Sequence, residues 1–258
     1  MPGFIDFARN QHSNLPIADA PKSIASETYI VTGANTGLGL ECVKHIVKNG
    51  AARVILAVRS RSKGEAAKAA VREVTGRDVC EVWELDYASF DSIEAFAKRL
   101  DTLDRIDALI LNAGLAMSRH TMVEGMEQTF LVNVVSTTLL AARAIPKLQA
   151  SARKFSTNPR LVFVTSNAAI DSKVHKIVAK ANDDANIFDN LEDPKNFTPF
   201  TTYPASKLVQ MYVARHLASL LPLSDSGVII NMTSPGIFFQ IGLQEPKGKL
   251  CKSASGRI

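Results

Sequence analysis

A phenol and an ammonium stand four positions apart in Tyr203-Pro-Ala-Ser-Lys207. On a helix that spacing puts both on one face, a turn apart. A lysine cation within about 4–6 Å of a phenol favours phenolate and draws the pKa down from an unperturbed value near 10. Such a phenol can give a proton to a forming alkoxide or take one from an alcohol. An ordinary buried tyrosine beside a solvated lysine has the same spacing, so the pair needs company. Pro204 suits the first turn of a helix, where its N–H is not required. Ser166 closes the apolar run PRLVFVTSN, and its hydroxyl could bond a substrate oxygen beside the phenol. Thr165 competes for that role, and a turn-capping serine is the other use for Ser166. Asn133 lies in an apolar helical stretch, where an amide needs a partner. A structural hydrogen bond would satisfy it as well as a ligand.

A second device lies upstream. Thr32, Gly33, Thr36, Gly37, Leu38 and Gly39 belong to TGANTGLG, directly after the apolar run TYIV. A strand that ends in closely spaced glycines and opens a helix brings backbone N–H groups against a phosphate. Gly33 turns the chain, Gly37 leaves room for a pyrophosphate, and Gly39 lets the helix pack on the strand. The spacing is GxxxGxG rather than GxGxxG, and a glycine-rich turn without a ligand can look the same. Asn112-Ala113-Gly114 closes another apolar run. Its amide can hold neighbouring strands apart or line a cofactor trough, while Gly114 permits close approach.

The elements that must position these groups alternate along the chain. Strands are expected at 28–33, 53–59, 78–86, 106–114, 159–167 and 227–236, most of them apolar enough for burial on both faces. Helices are expected over 37–48, over the Ala-rich segment KGEAAKAAVREVTG (63–76), from Ser89 to Leu103, from Val123 through Leu148, and after Tyr203. A polar stretch from Asp171 to Thr202 reads as a surface excursion. Six strand–helix alternations argue for an α/β fold: one Rossmann-type, doubly wound parallel sheet with helices on both faces. Residues 1–26 read as an N-terminal arm, 27–243 as the nucleotide-binding domain and 244–258 as a short polar tail. Ligands in such sheets sit at the carboxyl ends of the strands, and every motif above falls at such an end.

Composition narrows the classes. With 258 residues, 46% of them hydrophobic, the chain can bury a core without disulfides or a metal. Three scattered cysteines favour a reducing, cytoplasmic setting. The five histidines form no metal-binding pattern. A net charge of +5 has no basic stripe behind it, so nucleic acid is not expected and cofactor phosphates are a better use for it. The apolar stretch from Leu131 to Ile145 is too short and too polar to span a bilayer. The first residues lack the pattern of a secretory signal, and Phe4, Ile5 and Phe7 suit a short turn packed on the domain better than a membrane anchor.

TGANTGLG, Asp86, NAG, Asn133, Ser166, YPASK and SPG, in this order, resemble the short-chain dehydrogenase/reductase family over about residues 28–243. The long Ser166–Tyr203 separation and the ANTGLGLE sequence resemble the branch of retinol dehydrogenases and the WW-domain oxidoreductase. Members with such a leader often serve in specialised-metabolite biosynthesis. The resemblance implies that Tyr203 is the acid/base, that Ser166 polarises a carbonyl, and that Lys207 bonds the nicotinamide ribose. It further implies that Asn133 holds a water relaying protons from Lys207, and that hydride moves between nicotinamide and a carbonyl or alcohol carbon. Asp86 is expected at the adenine edge, with Leu38, Asn112, Ala113 and Gly114 along the trough and Pro235, Gly236 and Phe238 at the nicotinamide end. The family also implies homodimerisation through the fourth and fifth helices.

Arg59 ends the second strand, followed by Arg61 and Lys63. A carboxylate there would repel a 2′-phosphate, whereas a guanidinium pairs with it bidentately, so NADP(H) is favoured over NAD(H). Solvent-facing charges at a helix start are the other reading. Thr36 departs from the basic residue that many NADP-preferring relatives carry. Gln240 stands where relatives have the threonine that contacts the carboxamide. Only eighteen residues follow Gln240, where relatives continue with a substrate-covering segment and a seventh strand. The expectation is an edge at the sixth strand and an open nicotinamide end. Two readings follow: an active reductase of a lipophilic carbonyl or alcohol, favoured because all four catalytic residue types are kept, or an NADP(H)-binding relative with little turnover.

Overall fold

The computed structural model describes residues 22–170 and 193–236. Six parallel strands form its sheet: β1 (Thr28–Thr32), β2 (Arg53–Val58), β3 (Cys80–Glu84), β4 (Ala108–Leu111), β5 (Arg160–Val164) and β6 (Ile229–Thr233). Their order is β3-β2-β1-β4-β5-β6, so the winding reverses between β1 and β4. That reversal leaves a crevice at the carboxyl ends, as expected of a doubly wound sheet.

Alternation along each strand sends neighbouring side chains to opposite faces. Ile30, Ile55, Trp83, Leu109 and Phe163 pack into one core with α3 (Phe90–Leu100) and α4 (Gln128–Phe155). Val31, Val54, Leu56 and Val82 pack into the other with α1 (Gly37–Lys48) and α2 (Arg61–Thr75). Both faces are therefore covered, which is why the central positions of these strands are apolar on both sides. Ile24, expected in the arm, belongs to the second core.

The largest departures from the expected boundaries fall at α4 and at the helix that carries Tyr203. Helix α4 opens at Gln128 because Met122–Val123 and Met126–Glu127 pair as a small antiparallel hairpin. Glu124 and Gly125 take the positive φ values, 51° and 78°, that such a tight turn requires. The buried Glu127 carboxylate then caps the helix, accepting from the N–H groups of Thr129 and Phe130. Helix α4 runs on to Phe155 and widens into a π turn over Leu131–Ser136. It is the one described helix long and apolar enough to cross a membrane, yet it packs inside the domain.

Helix α5 (Pro199–Leu220) starts before Tyr203, so Pro204 lies inside it rather than in its first turn. Pro199 takes the favoured initiating place instead. The missing Pro204 N–H would have faced the carbonyl of Phe200, a residue that is 89% exposed and open to water. The short α6 (Leu223–Ser226) leads into β6. Most of the expected excursion, residues 171–192, lies outside the described residues, as do the arm through residue 21 and the segment 237–258 with Phe238 and Gln240.

Candidate active site

At the reversal point the strand ends enclose a cavity of about 740 Å³, within the range of about 300–1,000 Å³ typical of ligand sites. One half is built from backbone. Gly33 turns at φ 66° and donates its N–H to the Ala57 carbonyl at 2.8 Å. A Cβ on Gly39 would come within 2.5 Å of the Gly33 carbonyl oxygen, so the helix start can approach the strand only without one. Thr36, at the N-terminus of α1, is extended and makes no side-chain bond to the first turn. Free helix-start N–H groups attract anions.

Thr32 is fully buried and serves the frame: its hydroxyl accepts from the Ala113 N–H at 2.9 Å. The Asn112 amide donates to the Thr32 carbonyl at 2.9 Å, tying β4 to β1. That is the strand-holding use of Asn112, although its side chain also borders the cavity. Thr36, Leu38, Arg59 and Asp86 border the same half. One Asp86 carboxylate oxygen accepts from the Ala88 N–H at 2.9 Å. Lys63 does not border the cavity; it is exposed on the first turn of α2, where its N–H reaches the capping hydroxyl of Ser60.

The other half is built from side chains. Ser166, Tyr203 and Lys207 border the cavity together with Gly114, Pro235 and Gly236. The Ser166 hydroxyl faces the Tyr203 phenol closely enough to oppose the rise in its pKa. Thr165 is ruled out of that role because its hydroxyl is held on the Thr233 carbonyl at 3.1 Å. Lys207 is buried, and its Nζ donates to the Val164 carbonyl at 2.9 Å and to Gln210 Oε1 at 3.1 Å. Burial pushes Lys207 down to about 8.

The phenol does not match the expectation of a lowered pKa. Burial holds Tyr203 above its ordinary value, opposed by the Ser166 hydroxyl. The Lys207 ammonium lies 5.9 Å from the ring centroid, and two of its three donors are taken by Val164 and Gln210. Asn133 is fully buried inside the π turn and does not border the cavity. Its side chain accepts from the Leu115 N–H at 2.9 Å and donates to the Leu115 carbonyl at 2.8 Å and the Ser206 hydroxyl at 3.0 Å.

A family model for short chain dehydrogenases matches residues 27–180. The chain belongs to the short-chain dehydrogenase family. It is 39% identical over 236 residues to the short chain dehydrogenase atnD of Emericella nidulans, covering 90% of this chain and 73% of that one. It is 38% identical over 229 residues to the short chain dehydrogenase/reductase dmxR8 of a Cryptosporiopsis species, covering 83% and 66%. The chain thus spans about two thirds to three quarters of these relatives. Its fold matches that of a Sphingobium yanoikuyae short-chain dehydrogenase in complex with NADPH, with a TM-score of 0.61 at 22% identity, over 81% of this chain and 70% of that one.

Within this short-chain dehydrogenase, sequence reasoning missed three residues. Tyr87 borders the cavity from the end of β3, and its carbonyl accepts from Ser136 of α4 at 2.6 Å. Ser206 and Gln210 are fully buried on α5 and hold Asn133 and Lys207. The signal for Gln210 was available: an amide one turn beyond Lys207, inside the otherwise apolar run LVQMYVA.

Proposed function

We propose that this chain is an NADP(H)-dependent oxidoreductase that interconverts a carbonyl and a secondary alcohol on a lipophilic small molecule, in the cytoplasm, with a role in specialised-metabolite biosynthesis. The observation that carries the reading is the meeting of Ser166, Tyr203 and Lys207 on one crevice whose other end is a glycine turn under an uncapped helix start. Gly33, Thr36, Gly37, Leu38 and Gly39 would hold the pyrophosphate, Asp86 the adenine edge, and Arg59 the 2′-phosphate. Lys207, Asn112, Ala113, Gly114, Pro235 and Gly236 would hold the nicotinamide riboside. The bound cofactor supplies the hydride.

This chain's own groups handle position and protons. Ser166 donates to the carbonyl oxygen and polarises it. Tyr203 gives that oxygen its proton as the carbonyl carbon is reduced, leaving an alcohol and a phenolate. Lys207, a buried cation at neutral pH, stabilises the phenolate as it forms. In the oxidative direction the same groups take the proton back.

The test is titration with NADPH and NADH by nicotinamide fluorescence, followed by a carbonyl panel on wild type and Tyr203→Phe. The expected result is tighter NADPH binding and a fall in turnover of about 10²–10⁴-fold in the variant, with NADPH affinity retained. NADPH binding with no reduction of any carbonyl would favour the binding-protein reading. Wild-type turnover in Tyr203→Phe would remove the phenol from the chemistry.

A further inference from the structure

Gln210 joins the two groups through which the family resemblance routes a proton. Its Nε2 donates to the Asn133 carbonyl at 2.8 Å, and its Oε1 accepts from Lys207 Nζ at 3.1 Å. The side chain is fully buried. The Asn133 carbonyl and Lys207 Nζ are therefore bridged by protein where the resemblance would put a water. We propose that Gln210 is a positioning residue for Lys207: its amide replaces a bridging water, clamps the ammonium under the crevice, and closes the proton path through α4.

The physical distinction is between an amide and a water. A water can accept a proton on one side and release another on the opposite side. A glutamine amide that donates from nitrogen and accepts at oxygen cannot do so without passing through its imidic acid tautomer. The Asn133 side chain offers no detour, because both of its ends are engaged with Leu115 and Ser206. The phenolate left on Tyr203 is then reprotonated from crevice water on the Ser166 side, which takes up one proton from solvent per carbonyl reduced. This consequence rests on the reading of Lys207 and Tyr203 given above; the clamp itself does not.

The first test uses the wild-type protein without cofactor or substrate. Side-chain amide hydrogen exchange of Gln210, followed by ¹⁵N NMR, is expected to be at least about 100-fold slower than for an exposed glutamine. Exchange at the exposed rate would overturn the clamp, whatever the protein does with carbonyls. The second test compares Gln210→Met with Gln210→Ala. Methionine fills the space without either hydrogen bond, whereas alanine leaves room for a water between Lys207 and the Asn133 carbonyl. With thermal stability measured alongside, kcat is expected to fall about tenfold in Gln210→Met at nearly unchanged KM. It should recover in Gln210→Ala, with a curved proton inventory in H₂O/D₂O mixtures where wild type is linear. Wild-type kcat in Gln210→Met, or a curved inventory in wild type, would overturn the proposal. Absence of any turnover with slow amide exchange intact would sink the redox reading and leave the clamp standing.

Discussion

The two halves of the crevice are made of different materials. The glycine-turn half, at the ends of β1 and β2, is formed by backbone: a positive φ at Gly33, a close approach at Gly39 and an uncapped helix start. The half under β5 and β6 is formed by side chains that meet across long sequence separations, with Ser206 on Asn133, Gln210 on the Asn133 carbonyl and Lys207 on Val164. Burial differs too: β2 is buried along nearly its whole length, whereas Asn231, Met232 and Thr233 of β6 are exposed among the described residues. A backbone site tolerates few residue types but needs few partners. A side-chain site depends on every member of its hydrogen-bond network being satisfied.

The comparison breaks most sharply at Gly39. A valine there would bring its Cβ within 2.5 Å of the Gly33 carbonyl oxygen. The expected result of Gly39→Val is a loss of NADPH affinity of about 100-fold or more, with about 1–3 kcal/mol lost in urea unfolding. Unchanged affinity by fluorescence titration would show that the glycine turn does not receive the pyrophosphate. A smaller effect is expected at Arg59, which borders the cavity from the end of β2. Arg59→Asp should shift the NADPH-to-NADH preference by about 10- to 100-fold towards NADH, because a carboxylate repels a 2′-phosphate. An unchanged preference would mean that Arg59 does not read the 2′-phosphate.

The same contrast explains what could be read from sequence. Helix α1 and its glycines were legible because their constraint is local: turn, close approach and helix start fall within eight residues, TGANTGLG. The parallel sheet was legible from apolar strand runs. The start of α5 was not, since Pro199 and Pro204 both qualify as first-turn prolines and only packing separates them. The hairpin before α4 was hidden because Glu124 adopts a positive φ that its residue type does not announce. The raised Tyr203 pKa was missed because spacing places an ammonium beside the phenol but does not show how far the phenol is buried, and burial is what raises it.

The smallest expected effect comes from Lys207, and it tests whether the side-chain half carries a cost that the backbone half does not. Burial holds its folded pKa near 8, below the value of about 10.4 for an unfolded lysine. Between those values the unfolded chain binds more protons than the folded one, so raising the pH favours folding. Below pH 8 both states are protonated and the cost of the buried cation is fully present. It fades as pH rises towards 10. The difference in unfolding free energy between wild type and Lys207→Met should therefore move in favour of wild type from pH 8 to pH 10, by on the order of 1 kcal/mol. Tyr203, whose pKa is raised, pulls the other way as an unfolded tyrosine ionises towards pH 10, but it is common to both proteins and drops out of their difference. Urea unfolding at pH 7, 8, 9 and 10 measures the difference directly. A flat profile would mean that water reaches Lys207 Nζ, and a side chain so hydrated could not be the dry, clamped cation that the geometry describes.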